Sequence, residues 1–195
     1  MHLLAVSALA LATLVAPHAD PPPPGRVPID VVTISGNGCG RGTVVSVAAD
    51  NSRFTLDHGE VIVWVGGAAR PTDARKNCRS MLRIHAPQGY TYALAPAVYR
   101  GWVHLEPGAT ATARFTHVFQ GGEQHETSYG FTGPDDDYWE RIDPDGPGLP
   151  CGQTSLVSIW TDLRVSLGSS NPAKSSYLAT DSPMTEHHFT WKRCS

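Results

Sequence analysis

The stretch SLVSIWTDLRVSL, residues 155–167, alternates strictly between two kinds of side chain. Val157, Ile159, Thr161, Leu163, Val165 and Leu167 share one side, and Ser158, Trp160, Asp162, Arg164 and Ser166 share the other. Successive side chains of an extended chain point to opposite faces, so this pattern reads as a strand with one apolar and one solvated face. Such a strand needs a sheet to carry it and a second layer to cover its apolar side.

The same period recurs in both directions. Between Cys78 and Ala86, Leu82 and Ile84 oppose Arg83 and His85; Tyr90, Tyr92 and Leu94 alternate next, and Val103 and Leu105 oppose Trp102 and His104. From Thr110 to Gln120, Phe115, His117 and Phe119 oppose Thr116 and Val118, and Gln124 to Thr132 forms a further run. Near the end His187, Phe189 and Trp191 oppose His188, Thr190 and Lys192. Towards the N-terminus Ile29 to Ser35, Gly42 to Ala49, Arg53 to Asp57 and Glu60 to Val65 are short and β-branched, as strands prefer. Asp50-Asn51, His58-Gly59, Pro107-Gly108 and Gly121-Gly122 are turn signals between runs. Only Pro71 to Asn77 suggests a helical turn, with Pro71 at its start. Nine or ten strands and no amphipathic helix predict an all-β chain: a single-domain antiparallel β-sandwich with two disulfides, spanning residues 29–195.

Residues 3–16, LLAVSALALATLVA, form one apolar run interrupted only by Ser7 and Thr13, and no Asp, Glu, Lys or Arg precedes Asp20. As a helix this run is about 21 Å long, too short for a bilayer core of about 30 Å. Its length suits an export signal, with the small residues Ala16 and Ala19 placing cleavage before Asp20. Residues 1–19 are therefore expected to be a signal peptide, and no other segment is apolar enough to span a membrane. Residues 20–28, DPPPPGRVP, read as an extended proline-rich arm that spaces the domain rather than joining its core.

Four cysteines in an exported chain imply disulfides. Of the three connectivities, Cys39–Cys78 and Cys151–Cys194 pair nearest neighbours within each half. A four-thiolate metal site needs closely spaced pairs, and the sequence has none. A net charge of −3 with 17% charged residues does not point to nucleic acid. A secreted, extracellular monomer is the expectation.

The segments GCGRGTVVSVAADNSRFTL, PTDARKNC, APQGYTYAL, VYRGWVHLEPGATAT and FTGPDDDY, closed by W-x-R-C at Trp191 to Cys194, occur in a recognisable order. In these the chain resembles the small secreted proteins of the domain-of-unknown-function family 4360, found in fungi and filamentous bacteria. The likeness covers roughly Cys39 to Cys194. It implies secretion, two disulfides and a single domain, and it brings no catalytic residues.

Several constellations bear on function. Asp135, Asp136, Asp137, Glu140, Asp143 and Asp145 place six carboxylates in eleven residues against one arginine, Arg141. Ca²⁺ takes six to eight oxygens, but the EF-hand spacing is absent. The segment is read as a solvated acidic loop, and the spacing leaves open whether Asp135, Asp136 and Asp137 hold calcium. Arg70, Arg75, Lys76, Arg79 and Arg83 form a basic pole, suited either to an anionic polymer or to pairing within the molecule. His125-Glu126 starts like the zincin motif, but Tyr129 stands where its second histidine belongs. His187 and His188 point to opposite faces, while His85, His104 and His117 lie on separate runs. There is no G-x-S-x-G elbow and no phosphate-cradling loop, so no catalytic residue and no cofactor is assigned. Tyr99, Trp102, Tyr138, Trp139 and Trp160 include aromatics that should face outward and stack on sugars. The expectation is a secreted non-catalytic β-sandwich whose biochemical role the sequence leaves unassigned, with extracellular or cell-wall polysaccharide as the candidate ligand. The alternative is a hydrolase whose carboxylates, drawn from Asp57, Glu60, Glu106, Glu126 and Asp162, meet only on folding.

Overall fold

The computed structural model describes residues 20–40, 42–154, 156–181 and 185–195. The expected signal peptide, residues 1–19, lies outside them. Among the described residues the chain forms β1 (Ile29–Ser35), β2 (Val44–Val47), β3 (Arg53–Asp57), β4 (Val61–Val65), β5 (Arg75–Ile84), β6 (Tyr90–Leu105), β7 (Thr110–Phe119), β8 (Gln124–Thr132), β9 (Asp135–Asp143), β10 (Leu156–Ser166), β11 (Ser176–Thr180) and β12 (Thr185–Arg193). A single 3-10 turn, Pro71–Asp73, occupies the stretch expected to be helical, and β5 begins two residues later.

The strands make two antiparallel sheets. The first runs β1-β5-β10-β7-β8, with the alternating stretch of β10 at its centre. The second runs β2-β3-β12-β6-β11-β4, and β9 also pairs with β6. Register resolves how β6 serves three partners. Ala97 and Val98 pair with His187 and Glu186 of β12 and also with Asp143 and Ile142 of β9. Gly101 to His104 pair with both β11 and β9. Since a strand has two edges, β12 and β11 follow one another along one edge of β6, and β9 occupies the other. β3 and β4 continue the sheet beyond β12 and β11.

Two features differ from the sequence expectation. The acidic segment is not a loop: Asp135–Asp143 is strand β9, paired with β6 along its whole length. Its carboxylates are divided between two faces, which separates the charges that a loop would crowd together. The proline-rich arm is not a free spacer either. Val27 is completely buried and belongs to the core. Asn51 holds the arm in place. Its side chain accepts from the Val27 amide at 3.2 Å and donates to the carbonyls of Pro23, at 3.0 Å, and Gly25. Its own carbonyl accepts from the Trp191 indole at 2.7 Å. Asn51 sits at φ 54°, a left-handed conformation that Asn adopts more readily than most residues.

Between the sheets lie two apolar clusters. One gathers Val61, Val63 and Val65 with Tyr99, Val103, Leu105, Phe115, Trp139, Leu163 and Leu178. The other gathers Phe54, Leu56, Leu82, Tyr92, Leu94, Phe119, Val157, Ile159 and Trp191. Tyr99 and Phe115 stack across the layers with centroids 3.6 Å apart. Trp139 lies against Gly101, where an added Cβ would come within 2.7 Å of the indole and clash with the Ala179 carbonyl.

Cys39 is joined to Cys78, and Cys151 to Cys194. Peptide mapping without reduction is expected to recover these two links; a peptide joining Cys39 to Cys151 or Cys194 would contradict the topology. In the chain-entropy model loops of this size contribute about 4 kcal/mol each. Replacing Asn51 is a separate test of the arm. Asn51→Ala should cost about 2–4 kcal/mol in chemical denaturation, because it removes three hydrogen bonds and strains the backbone. Asn51→Gly should recover only the backbone share, whereas a neutral Asn51→Ala would show that the arm is not held.

Candidate functional site

The outward face of the second sheet is built by alternation on four neighbouring strands. One row crosses them through Trp64 on β4, Tyr177 on β11, His104 on β6 and Asp136 on β9. The next row holds Ile62, Ala179, Trp102 and Tyr138. Between them Val61, Val63 and Val65, Leu178, Val103 and Leu105, and Trp139 face inward, and of the outward set Ala179 is covered by its neighbours. At a strand spacing of about 4.8 Å the face is about 14 Å wide. His104 and Tyr177 stack with centroids 5.4 Å apart, and Trp102 and Tyr138 lie 6.4 Å apart. Trp102 and Tyr138 are each 42% exposed, a large share for side chains of this size.

Polar groups border the rings. His104 Nδ1 lies 3.2 Å from Asp136 Oδ1. Partial burial, with the Asp181 carboxylate nearby, holds the Tyr138 phenol above its ordinary value. Arg100, one step along β6, reaches Glu140 at 2.7 Å and Glu186 at 3.1 Å, and Glu186 also faces Arg53 at 3.6 Å. The face therefore offers flat apolar rings with hydrogen-bonding groups along one side.

A second constellation is internal. His117 on β7 and His187 on β12 are both 0% exposed and meet at 3.2 Å, Nε2 to Nδ1, in the polar seam between the two apolar clusters. His187 stacks on Phe54 with centroids 4.9 Å apart. One ring donates to the other, so this contact needs at least one neutral imidazole. Burial drives the His117 value down to about 4, with His125 adding to the fall and Asp143 opposing it. Burial also pushes His187 far down, helped by His117, His58 and His188. At the rim of this seam Asp143 on β9 accepts from Thr127 at 2.5 Å and lies 2.9 Å from His125 on β8, tying the edge strands of the two sheets together.

The remaining candidates are dispersed. Of the five aromatics singled out in the sequence, Tyr99 and Trp139 are core residues, and Trp160 lies under the Arg79 guanidinium at 4.5 Å on the first sheet. Trp102 and Tyr138 form the outward face. Trp64 and Tyr177 complete it and escaped the sequence reading. Trp64 lies in an alternating run that already signals its direction, but its cross-strand neighbour, Tyr177, stands 113 residues further along the chain. The basic pole does not meet the acidic segment. Arg70 and Lys76 pair with Asp73 at 3.2 and 3.9 Å, and Arg75 pairs with Asp162 at 2.6 Å. His85 pairs with Asp30 at 2.8 Å, so His85, His104 and His117 stay apart. Among the carboxylates considered for hydrolysis, Asp162 also meets Arg164 at 2.8 Å, Glu126 meets Arg114 at 3.5 Å, and Glu106 meets Lys174 at 3.1 Å. Asp57 caps the Gly59 amide at 2.8 Å, and Glu60 borders a shallow hollow beside Cys39.

The buried histidines carry a pH prediction. A histidine held low in the folded chain binds fewer protons than in the unfolded chain. Its neutral form is therefore accommodated above about pH 6.5, and stability is lost as the pH falls from there towards 4. For His117 alone the loss should reach about 2 kcal/mol by pH 5. Denaturation midpoints measured between about pH 7.5 and 5, a window above most carboxylate titration, should fall accordingly. His117→Gln should flatten the slope. An equal slope in both proteins would contradict a neutral buried pair.

Comparison with known proteins places the chain. Residues 25–194 match the family model described as Domain of unknown function (DUF4360). A protein of Arthroderma benhamiae described as an uncharacterized secreted protein is 30% identical over 184 residues, covering 89% of this chain and 74% of its own length. Among solved structures, TmCBM61 in complex with β-1,4-galactotriose aligns at 13% identity over 83% of this chain and 88% of its own, with a TM-score of 0.30. The enzymatically active domain of bacteriophage CBA120 tailspike protein 4 aligns at 11% identity over 87% of this chain and 19% of its own, with a TM-score of 0.29. Overlaps this slight carry no functional weight. The family match and the secreted relative do, and the chain is a secreted β-sandwich belonging to the family Domain of unknown function (DUF4360).

Proposed function

We propose that this protein binds extracellular polysaccharide on the outward face of its second sheet. The observation that carries the reading is the pair of side-chain rows Trp64–Tyr177–His104–Asp136 and Ile62–Ala179–Trp102–Tyr138. A pyranose presents C–H groups on its faces and hydroxyls around its edge. Aromatic rings match the faces, and carboxylate, imidazole and guanidinium groups match the hydroxyls. The rings rest on strands whose reverse sides are core residues, so the surface is held in place before a ligand arrives and loses little conformational freedom on binding.

The test is a binding panel of insoluble and soluble polysaccharides, with melting temperature measured alongside to exclude unfolding. Trp102→Ala and Tyr138→Ala should each weaken binding about tenfold, the size expected for an aromatic anchor. Their melting temperatures should stay near that of the parent, because both side chains stand on the solvent side. Trp160→Ala on the other sheet should bind normally. Unchanged binding in both Trp102→Ala and Tyr138→Ala would overturn the assignment of this face.

A further inference from the structure

The charge around the aromatic rows is lopsided. β4 (VIVWV) and β11 (SYLAT) bring no ionisable group except the Tyr177 phenol. On the outward side of the other two strands and at the end of β11 stand Asp136, Glu140 and Asp181. The Asp136 side chain is 66% exposed. Arg100 is the one guanidinium within these rows, and it is held between Glu140 and Glu186 with only 24% of its side chain exposed. Asp135 and Asp137, the alternate residues of the same strand, point to its other face.

Resting on the polysaccharide-binding reading above, we infer that the ligand of this face is a polymer of amino sugars with free amino groups, a polyglucosamine type. A protonated amine on each ring answers the carboxylates, and the ring face answers Trp102, Tyr138, Trp64 and Tyr177. An ammonium over Trp or Tyr gains from the ring quadrupole as well. An anionic polymer would meet Asp136, Glu140 and Asp181 as like charges. A neutral polymer would use the rings and give the carboxylates hydroxyl hydrogen bonds, but no charge to pair with. A basic peptide also matches the charge, but the common peptide-binding modes need an open strand edge or a groove. The central rings of this face offer neither: Trp102 and His104 stand on a strand paired along both edges, and the open strand edges lie only at the flanks, on β4 and β9. The spacing of about 4.8 Å between strands also approximates the advance of one β-linked pyranose along a chain lying across them.

The experiment measures binding of the full secreted chain to chitosan and to fully N-acetylated chitin oligomers of matched length, near pH 6, at low and high salt. Cellulose, polygalacturonate and poly-lysine complete the panel. The expected result is about tenfold tighter binding to chitosan than to the acetylated polymer, the yield of a few exposed charge pairs acting together. High salt should erase that preference. Asp136→Asn combined with Asp181→Asn should abolish the preference, bringing chitosan binding down to that of the acetylated polymer measured with the same variant. Trp102→Ala should weaken binding to both.

Equal binding of acetylated and free-amine polymers would overturn the amino-sugar inference while leaving the polysaccharide-binding face intact. Poly-lysine binding as tight as chitosan and indifferent to Trp102→Ala would overturn it too, as simple capture of cations. No retention by any polysaccharide would overturn both readings together.

Discussion

The alternation of β6, which changes parity once at Ala95-Pro96, is the constraint on which the rest of this molecule depends. Over sixteen residues its inward side chains, Tyr92, Leu94, Ala97, Tyr99, Val103 and Leu105, supply both apolar clusters. Its outward side chains, Arg100, Trp102 and His104, supply the middle of the candidate binding face. The two roles cannot be changed independently. A one-residue slip in register would send the rings into the core and the core residues into water. Pairing on both edges, with β12 and β11 on one side and β9 on the other, holds that register. The close approach of the Trp139 indole to Gly101 locks β9 against it.

Inside, the two apolar clusters are separated by a polar seam whose centre is His117 and His187. Apolar surfaces alone allow two sheets to slide with little penalty, because their attraction is not directional. A hydrogen bond between ring nitrogens is directional, and breaking it in the interior leaves a polar atom without a partner. The seam therefore favours one alignment of β7 over β12. Asp143, His125 and Thr127 do the same at the rim, where β8 and β9 face each other. This alignment is specified at the expense of stability in acid, since protonating the pair disrupts the contact that defines it.

Much of the fold was legible because alternation is local. β5, β7, β10 and the outer half of β6 stand in the sequence with their inward residues in plain order, and His117 could be placed inside by its position between Phe115 and Phe119. β9 was not legible because Asp is depleted in strands. Asp135 to Asp137 look like a solvated loop until Tyr138, Trp139 and Ile142 are seen to alternate behind them. β11 is five residues long and has no flanking period. The arm was misread because consecutive prolines cannot donate hydrogen bonds; it is held through its carbonyls and the Val27 amide instead. For the candidate site, Trp102 and Tyr138 could be picked out as aromatics. Their union with Trp64 and Tyr177 depends on which strands become neighbours, and local pattern does not contain that information.

The docking of the arm has a further consequence for the geometry of the whole. The Asp20 amide donates to the Trp191 carbonyl at 3.0 Å, and the Arg193 amide returns a bond to the Asp20 carboxylate at 2.7 Å. Asp20 and Arg193 therefore lie side by side, at the end of β6 where Tyr90 pairs with Arg193. Trp102 stands twelve residues further along that strand, up to about 40 Å away at the rise of an extended chain. The molecule is polar in the geometric sense, with the docked arm and the end of β12 at one pole and the aromatic face towards the other. A partner domain, an affinity tag or a solid support joined beside Asp20 or Arg193 would leave that face turned outward and free to engage a polymer.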